Sequence, residues 1–129
     1  MGLFSIFTKK AAPGTASPGA RAEALAAAFL VRRGLAVLER NHRCRGGEVD
    51  LVCKDGTAVV FVEVRLRSTA GHGGAAGSIT PAKRRRLILA ARHWLAGRPE
   101  CPCRFDAVLL DRLDADAIEW VKDAFSADS

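Results

Sequence analysis

Two alternating strand patterns separated by an Asp-Gly dipeptide constrain the fold of this chain more than any other feature. The segment is GGEVDLVCKDGTAVVFVEVRLRS, residues 46–68. Side chains alternate between the two faces of a strand, and Asp55-Gly56 suits a two-residue hairpin turn. Pairing Lys54 with Thr57 across this turn fixes the register of an antiparallel hairpin with one wholly apolar face. On that face Val49 lies opposite Val62 and Leu51 opposite Val60, beside Cys53, Val64 and Leu66.

The opposite face of the predicted hairpin carries acidic side chains. Glu48 lies opposite Glu63 in this register, and Asp50 lies diagonal to Glu63 at roughly 7 to 8 Å. Like charges across a ladder destabilise it, and burial adds to the cost unless a cation lies between them or one carboxylate takes a proton. Two remedies are open. One is a divalent cation such as Mg²⁺, which commonly takes one or two carboxylates, and the other is Arg65 on the same face.

Helical periodicity predicts a helix on each side of the hairpin. The first begins at Ala20, with Gly34 in the position of a C-cap glycine. The second begins at Thr80-Pro81, a good N-cap followed by a proline, and ends at Gly97. The apolar stripes of the two helices are Ala22, Leu25, Ala26, Phe29 and Leu30, and Leu87, Ala90, Ala91, Trp94 and Leu95.

Three further strands complete the predicted fold. LAVLER, CRFDAVLLD and AIEWVKDAF have strand character, and NHRCRGG before the hairpin is predicted as a basic loop. The order helix, three strands, helix, two strands predicts an α/β fold with a mixed central sheet of about five strands flanked by helices. Residues 1–19 are expected to be a flexible N-terminal leader and residues 20–129 a single domain. The glycine-rich segment at 70–77 could close over a nucleic acid or serve as a plain linker.

The chain is basic, with a formal net charge of +6 and a pI of about 9.7. Such a surplus fits a nucleic-acid partner and fits plain solubility equally well. The run KRRR lies in the first turns of the second helix, where cations oppose the helix dipole but reinforce an anion site. We therefore favour phosphate contact over a solvated basic face. The expected nucleic-acid contacts are Arg43, Arg45, Arg67, Lys83, Arg84, Arg85 and Arg86, with Arg40 near them.

Other patterns argue against a membrane or zinc protein. No apolar run approaches the length needed to cross a bilayer, and the first ten residues do not have the order of a secretion signal. We expect a cytoplasmic protein with reduced cysteines and no membrane partner. Cys101 and Cys103 form a lone C-x-C, so no zinc is expected.

Arg104 and Asp106 are expected to form an ion pair, and Trp94 and Trp120 to pack in the interior.

The blocks GEVDL, VFVEVRLRS, ITPAK, CRFDAVLL and IEWVKDAF resemble the YraN family of small bacterial proteins, from about residue 20 to 125. The resemblance implies a restriction-endonuclease-like core, similar to archaeal Holliday-junction resolvases. By the motif of that superfamily, Asp50 and Glu63 would be metal ligands, together with the backbone carbonyl of Val64. Glu48 would be structural or a further ligand. Glu23 would be the helix acid, although its periodicity alone favours a solvated helix glutamate over one leaning towards the sheet.

Arg65 departs from the superfamily motif, which has a lysine at this position. Arginine cannot act as a base, because its pKa lies above 12, but it can stabilise charge on a phosphate. The leading hypothesis is therefore an Mg²⁺- or Mn²⁺-dependent endonuclease that hydrolyses phosphodiester bonds, with DNA the expected substrate and branched DNA included. Asp50, Glu63, Arg65, Glu48 and Glu23 are its catalytic candidates. A catalytically inactive nucleic-acid-binding protein of the same fold is the alternative, and a protein-interaction module is a third. The sequence leaves a homodimer open.

Overall fold

The computed structural model describes residues 16–67 and 79–127, so the expectations for the first 15 residues and for the segment at 70–77 lie outside the described residues. In the described ranges the chain forms two α-helices and a five-stranded sheet. The elements are α1 (Pro18–Arg32), β1 (Ala36–Cys44), β2 (Gly47–Asp55), β3 (Ala58–Leu66), α2 (Pro81–Leu95), β4 (Cys103–Leu110) and β5 (Ile118–Phe125), with a short 3-10 turn at Ala115–Ala117.

The strands are arranged in the order β1-β2-β3-β4-β5. All neighbours are antiparallel except β3 and β4, which run parallel and are connected through the segment that contains α2. A parallel pair needs such a crossover connection, whereas antiparallel neighbours can be joined by tight turns. This mixed sheet with its helices confirms the predicted fold class.

The helices cover opposite faces of the sheet and create two cores. α1 packs through Ala26 and Leu30 onto the face that contains Leu51, Val62 and Val108. The residues under α2 are Val49, Val52, Phe61, Leu87, Ala90, Trp94, Phe105 and Leu109. Residues on neighbouring positions of the central strands thus enter different cores, as the two-residue period of a strand requires.

The helix ends follow from local capping. Thr80 accepts a hydrogen bond from the Lys83 N–H at 3.2 Å through its Oγ1, as predicted for α2. α1 begins at Pro18, slightly before the predicted start, because Ser17 Oγ accepts a hydrogen bond from the Ala20 N–H at 3.1 Å. Gly34 follows α1 with a φ of 98°, the left-handed conformation expected of a glycine after a helix.

The predicted basic loop at 41–47 is wrong for most of its length, because β1 continues to Cys44 and β2 begins at Gly47. In this region His42 pairs with Val49 and Arg43 with Glu48. β1 is an edge strand of the sheet. An edge strand tolerates charged and polar side chains, so its composition resembled that of a loop.

The hairpin is present, but its predicted register is wrong by two residues. Lys54 pairs with Val59, not Thr57, and Leu51 pairs with Val62. The connection is Gly56-Thr57, with Gly56 at a φ of 61°, and Asp55 remains in β2, where its carboxylate accepts a hydrogen bond from Arg104 at 2.9 Å. A shift of two residues keeps each side chain on its face, so it leaves the predicted pattern of faces nearly unchanged.

Asp106 is fully buried in β4 and has a complete set of partners. It accepts hydrogen bonds from Arg104 Nε at 3.0 Å, from Trp120 Nε1 at 2.9 Å and from the backbone N–H of Asp123 at 2.9 Å. The predicted Arg104–Asp106 ion pair is therefore confirmed. Trp120 also packs edge-on against Phe29, which confirms its predicted packing.

Candidate metal centre

The ladder between β2 and β3 ends at Asp50. The last regular pair is Leu51 with Val62, and beyond it the backbone N–H of Val64 donates a 2.7 Å hydrogen bond to Oδ2 of Asp50. Strand alternation is also broken here, because Val49 enters the core under α2 whereas Leu51 enters the core under α1. The prediction that Val49 shares a face with Leu51 is thus wrong. An irregularity of this kind at a strand end re-aims one side chain, here the carboxylate of Asp50.

Glu63 follows in β3 and is buried, with 8% of its surface exposed. Burial, together with the nearby charge of Asp50, raises the pKa of Glu63 to about 7. Lys83 partly offsets this shift, since its Nζ lies 3.4 Å from Oε2 of Glu63. At neutral pH the protein therefore holds a buried carboxyl group that is ready to accept either a proton or a cation.

Asp50 and Glu63 lie within hydrogen-bonding reach of each other, so that a proton on one carboxyl group can be donated to the other. Burial raises the pKa of Asp50, and the hydrogen bond from the Val64 N–H opposes this effect. Two carboxyl groups that share one proton in a buried site form a place where a divalent cation can replace the proton.

Glu23 of α1 is half-buried beside Asp50. Burial is the main cause that raises the pKa of Glu23, and the charge of Asp50 adds to it. Glu23 therefore leans towards the sheet, which is the placement that periodicity alone did not favour. Asp50 lies at the centre of the group, in contact with both other acids.

Asn41 is a site residue that the sequence did not reveal. Its side chain hydrogen-bonds to Glu23 and lowers the pKa of that carboxyl group. Asn41 has a φ of 53° within β1, between the pairs Arg40–Leu51 and His42–Val49, and so stands beside Asp50 on the neighbouring strand. Asparagine tolerates this left-handed conformation, but many asparagines occur in turns, so the residue type alone carried no signal.

Glu48 does not lie opposite Glu63, which corrects the predicted pair. Its backbone pairs with Arg43 of β1, and its carboxylate accepts a 2.9 Å hydrogen bond from Arg86 of α2. Both side chains of this ion pair are well exposed, so the pair contributes little to stability. Glu48 still acts on the site, because its charge helps to raise the pKa of Asp50.

Arg65 does not neutralise the acids as the sequence suggested. Its backbone pairs with Leu109 of β4, and its side chain lines the cleft without a hydrogen bond or ion pair to any residue in the described parts of the chain. The cations that contact acids here come from α2: Lys83 contacts Glu63 and Arg86 contacts Glu48. Arg65 is therefore available to a ligand.

These groups surround one cleft of about 360 Å³. Its lining consists of Gly19, Glu48, Asp50, Glu63, Val64, Arg65, Leu66, Lys83, Arg86 and Leu87. Among the described residues, no group of three or more His, Cys, Asp or Glu side chains has the arrangement of a full metal cage. Two carboxylates facing an open cleft fit Mg²⁺ or Mn²⁺, which keep several positions for water and phosphate oxygens, better than they fit zinc.

The predicted nucleic-acid contacts divide into three groups. Lys83 and Arg86 line the cleft, as described above. Arg43, Arg45, Arg84 and Arg85 have no ion-pair partner in the described residues. Arg67 is largely covered and bound at 2.8 Å to Asp111 and 3.5 Å to Glu119, so it is the least available of the predicted contacts.

The fold and the cleft define a small α/β protein whose sheet opens around a pair of carboxylates. Residues 22–110 match the family described as Uncharacterised protein family UPF0102. The chain belongs to this family, which is the YraN family, as its motifs indicated. None of the helices in the described ranges is both long enough and apolar enough to cross a membrane.

Several bacterial UPF0102 proteins are similar over most of their length. One from Methylobacillus flagellatus is 60% identical over 84% of this chain and 96% of its own. One from Dechloromonas aromatica is 56% identical, over 92% and 97% of the two chains. One from Cupriavidus taiwanensis is 53% identical, over 98% and 96%. The family assignment thus covers the whole described fold.

Proposed function

We propose that this protein is a metal-dependent endonuclease that hydrolyses phosphodiester bonds with Mg²⁺ or Mn²⁺ held by Asp50 and Glu63. The observation that carries the proposal is the meeting of buried Glu63 and half-buried Asp50 at an opening of the sheet, where the pKa values of both are raised. Buried acids that share a proton are costly to keep for structure alone, and a divalent cation stabilises both at once.

The ligands would be the carboxylates of Asp50 and Glu63 with the backbone carbonyl of Val64. A divalent cation at this position supplies Lewis-acid polarisation of a phosphate oxygen and lowers the pKa of water. The Val64 N–H fixes the Asp50 carboxylate at 2.7 Å, so this ligand needs little reorganisation. Glu23 contacts Asp50 from the other side and is held in turn by Asn41. Such outer contacts orient ligands and affect metal affinity.

The substrate phosphate would be bound by cations around the same cleft. Arg65 lines it without a partner in the described residues, and its planar guanidinium can donate two hydrogen bonds to a phosphate. α2 begins near Glu63, because Lys83 of its first turn contacts that carboxylate at 3.4 Å, and the positive end of the helix dipole favours an anion there. Exposed arginines such as Arg45 and Arg85 would contact more distant phosphates of DNA.

We also place this activity in the cytoplasm. In that compartment the four cysteines, Cys44, Cys53, Cys101 and Cys103, would be reduced thiols.

The test is a cleavage assay on branched, nicked and single-stranded DNA and on RNA, with Mn²⁺ and with EDTA. We expect cleavage of at least one substrate by the wild type with Mn²⁺ and none with EDTA. Asp50→Asn and Glu63→Gln should lose the activity. Glu100→Gln is the matched control, because Glu100 is exposed and lies outside the cleft. Intact substrates throughout, at high protein concentration, would contradict the proposal.

Nucleic-acid binding without cleavage is the second candidate. Two observations favour it: arginine stands in the motif position of lysine, and Lys83 already compensates part of the charge on Glu63. Under this alternative, binding weakens steeply with salt, does not change with EDTA and survives Asp50→Asn. The same cleavage assay separates the two candidates.

A further inference from the structure

We propose that Lys83, rather than Arg65, is the lysine of this centre, and that it exchanges partners during the reaction. Lys83 contacts Glu63 in the structure, and it would move to the substrate phosphate when a divalent cation takes the carboxylates. This inference rests on the proposed function and names the residue that contacts the phosphate next to the metal ligands.

The contact between Lys83 and Glu63 has the geometry of an exchangeable pair. The two charged atoms lie 3.4 Å apart, longer than a tight charged hydrogen bond. The Lys83 side chain is 41% exposed, whereas that of Glu63 is 11% exposed. The ammonium group can therefore reorient into the cleft, while the buried carboxylate stays in place.

The backbone of Lys83 is held in place, whereas its partly exposed side chain can reorient. Its N–H donates to the Thr80 hydroxyl at 3.2 Å, at the capped first turn of α2. A lysine on this turn lies at the positive end of the helix dipole, which favours an anion. A phosphate that enters the cleft thus meets the helix start and the ammonium group together.

The charges explain why the exchange would occur. The carboxyl groups of Asp50 and Glu63 and the ammonium group of Lys83 line one cleft, and the Lys83 Nζ lies 3.4 Å from Oε2 of Glu63. One ammonium group compensates one charge, whereas Mg²⁺ or Mn²⁺ compensates both. Lys83 and the metal therefore compete for Glu63. Arg65 does not enter this competition, because it contacts neither acid in the described residues.

This competition gives Lys83→Met two effects of opposite direction. Removing the ammonium group removes a competitor, so Mn²⁺ should bind more tightly, by about tenfold if roughly 1.4 kcal/mol of competition is lost. Cleavage at saturating Mn²⁺ should fall by about 100-fold or more, because the phosphate loses a positioned cation. A lysine that only stabilised the fold would lower both the affinity and the rate.

The experiment is a calorimetric Mn²⁺ titration and a single-turnover cleavage assay of Lys83→Met, Lys83→Gln and Lys83→Arg. Lys54→Met is the matched control, since it removes the same charge from an exposed lysine outside the cleft. The Met and Gln variants should bind Mn²⁺ more tightly and cleave slowly, and the Arg variant should recover part of the wild-type behaviour in both assays.

Two results would overturn the inference, and they are distinguishable. If the wild type and Lys54→Met bind Mn²⁺ and cleave, but both neutral variants at position 83 bind Mn²⁺ no more tightly or cleave at the wild-type rate, the partner exchange is wrong and the endonuclease proposal stands. If the wild type binds no Mn²⁺ at all, the metal centre and the exchange fail together.

Discussion

The backbone N–H of Val64 donates a 2.7 Å hydrogen bond to Oδ2 of Asp50 at the point where the β2–β3 ladder ends. The carboxylate thus replaces the backbone partner that a regular ladder would have provided. The Asp50 carboxylate is therefore both a candidate metal ligand and the acceptor of a structural hydrogen bond, so the sheet itself orients this ligand.

This double role predicts different stabilities for two substitutions of Asp50. Asp50→Asn removes the charge and keeps an oxygen that can accept from Val64, whereas Asp50→Ala leaves that N–H without its partner. We expect the Ala variant to be less stable than the Asn variant by about 1 kcal/mol, the cost of losing a hydrogen bond to a partly buried donor. Urea unfolding of the metal-free variants measures the difference. Equal stabilities would show that the hydrogen bond has no structural role.

The raised pKa of Glu63 predicts how stability depends on pH without metal. The pKa is about 7 in the folded protein against 4.5 for the ordinary group, so the folded state binds more protons between these values. The stabilising contribution of Glu63 to the free energy of unfolding is fully present below pH 4.5 and is lost as the pH rises through 7. The loss is at most about 3 kcal/mol. Asp50 and Glu23 shift in the same direction.

Urea unfolding between pH 5 and 8 at constant ionic strength tests this dependence. The wild type should lose stability with rising pH relative to Glu63→Gln, and saturating Mn²⁺ should reverse the trend because it binds the deprotonated carboxylates. Parallel curves for the two metal-free proteins would contradict the raised pKa.

Asp106 predicts a purely structural effect on the other side of the sheet. It is 1% exposed and accepts from Arg104, Trp120 and the Asp123 backbone. Asp106→Ala should destabilise the protein by about 3–5 kcal/mol, since Arg104 would be left partly buried without this partner. Asp116→Ala is the exposed control and should stay within about 0.5 kcal/mol. Thermal unfolding measures both, and a small effect at Asp106 would refute the role of this network.

Gly47 sets the distance between the sheet and α2. A Cβ atom there would lie 2.6 Å from the Arg86 carbonyl oxygen and 2.9 Å from the Ala90 nitrogen. Gly47→Ala should push α2 away, cost about 1–3 kcal/mol of stability and weaken nucleic-acid binding, because α2 carries cations of the cleft. Gly19→Ala is the control for the effect on stability alone, since its Cβ would meet nothing closer than 4.0 Å although Gly19 lines the cleft. Wild-type stability in Gly47→Ala would mean that the packing can relax at no cost.

The arginines should contribute unequally to nucleic-acid binding. Arg45 and Arg85 are exposed without an ion-pair partner in the described residues, so Arg45→Gln and Arg85→Gln should each reduce the slope of log K against log salt by about one. Arg67 is bound by Asp111 and Glu119, so Arg67→Gln should change the slope little. Fluorescence anisotropy with labelled DNA at several salt concentrations measures the slopes. Equal slopes for all three variants would refute this division.

The sequence predicted features that depend on neighbouring residues and missed those that depend on distant ones. Thr80 and Gly97 gave the ends of α2 because capping is local. The register of the hairpin failed although Asp55-Gly56 is a strong turn signal, since Arg104, far along the chain, holds Asp55 in the strand. A two-residue slip does not alter the pattern of faces, so the sequence contained no warning.

In the candidate site, too, the sequence predicted what depends on neighbouring residues and missed what depends on distant ones. Asp50 and Glu63 were recognised from strand alternation and motif, and they do come together. The sequence left two cations open beside them, a divalent metal ion or Arg65, and did not consider Lys83, whose ammonium group contacts Glu63. Its approach depends on how α2 crosses the sheet beside Gly47, which no local pattern encodes. Asn41 was missed for a similar reason, because β1 was assigned as a loop there.

A calorimetric titration of Mn²⁺ into the wild type and Glu63→Gln at pH 8 tests the central claim that the two carboxylates hold a divalent cation. We predict that the wild type binds one ion per chain and that the variant, correctly folded by circular dichroism, loses at least about 90% of the affinity, since one of two charged ligands is gone. Equal binding by both proteins, or binding by neither, would contradict the metal centre.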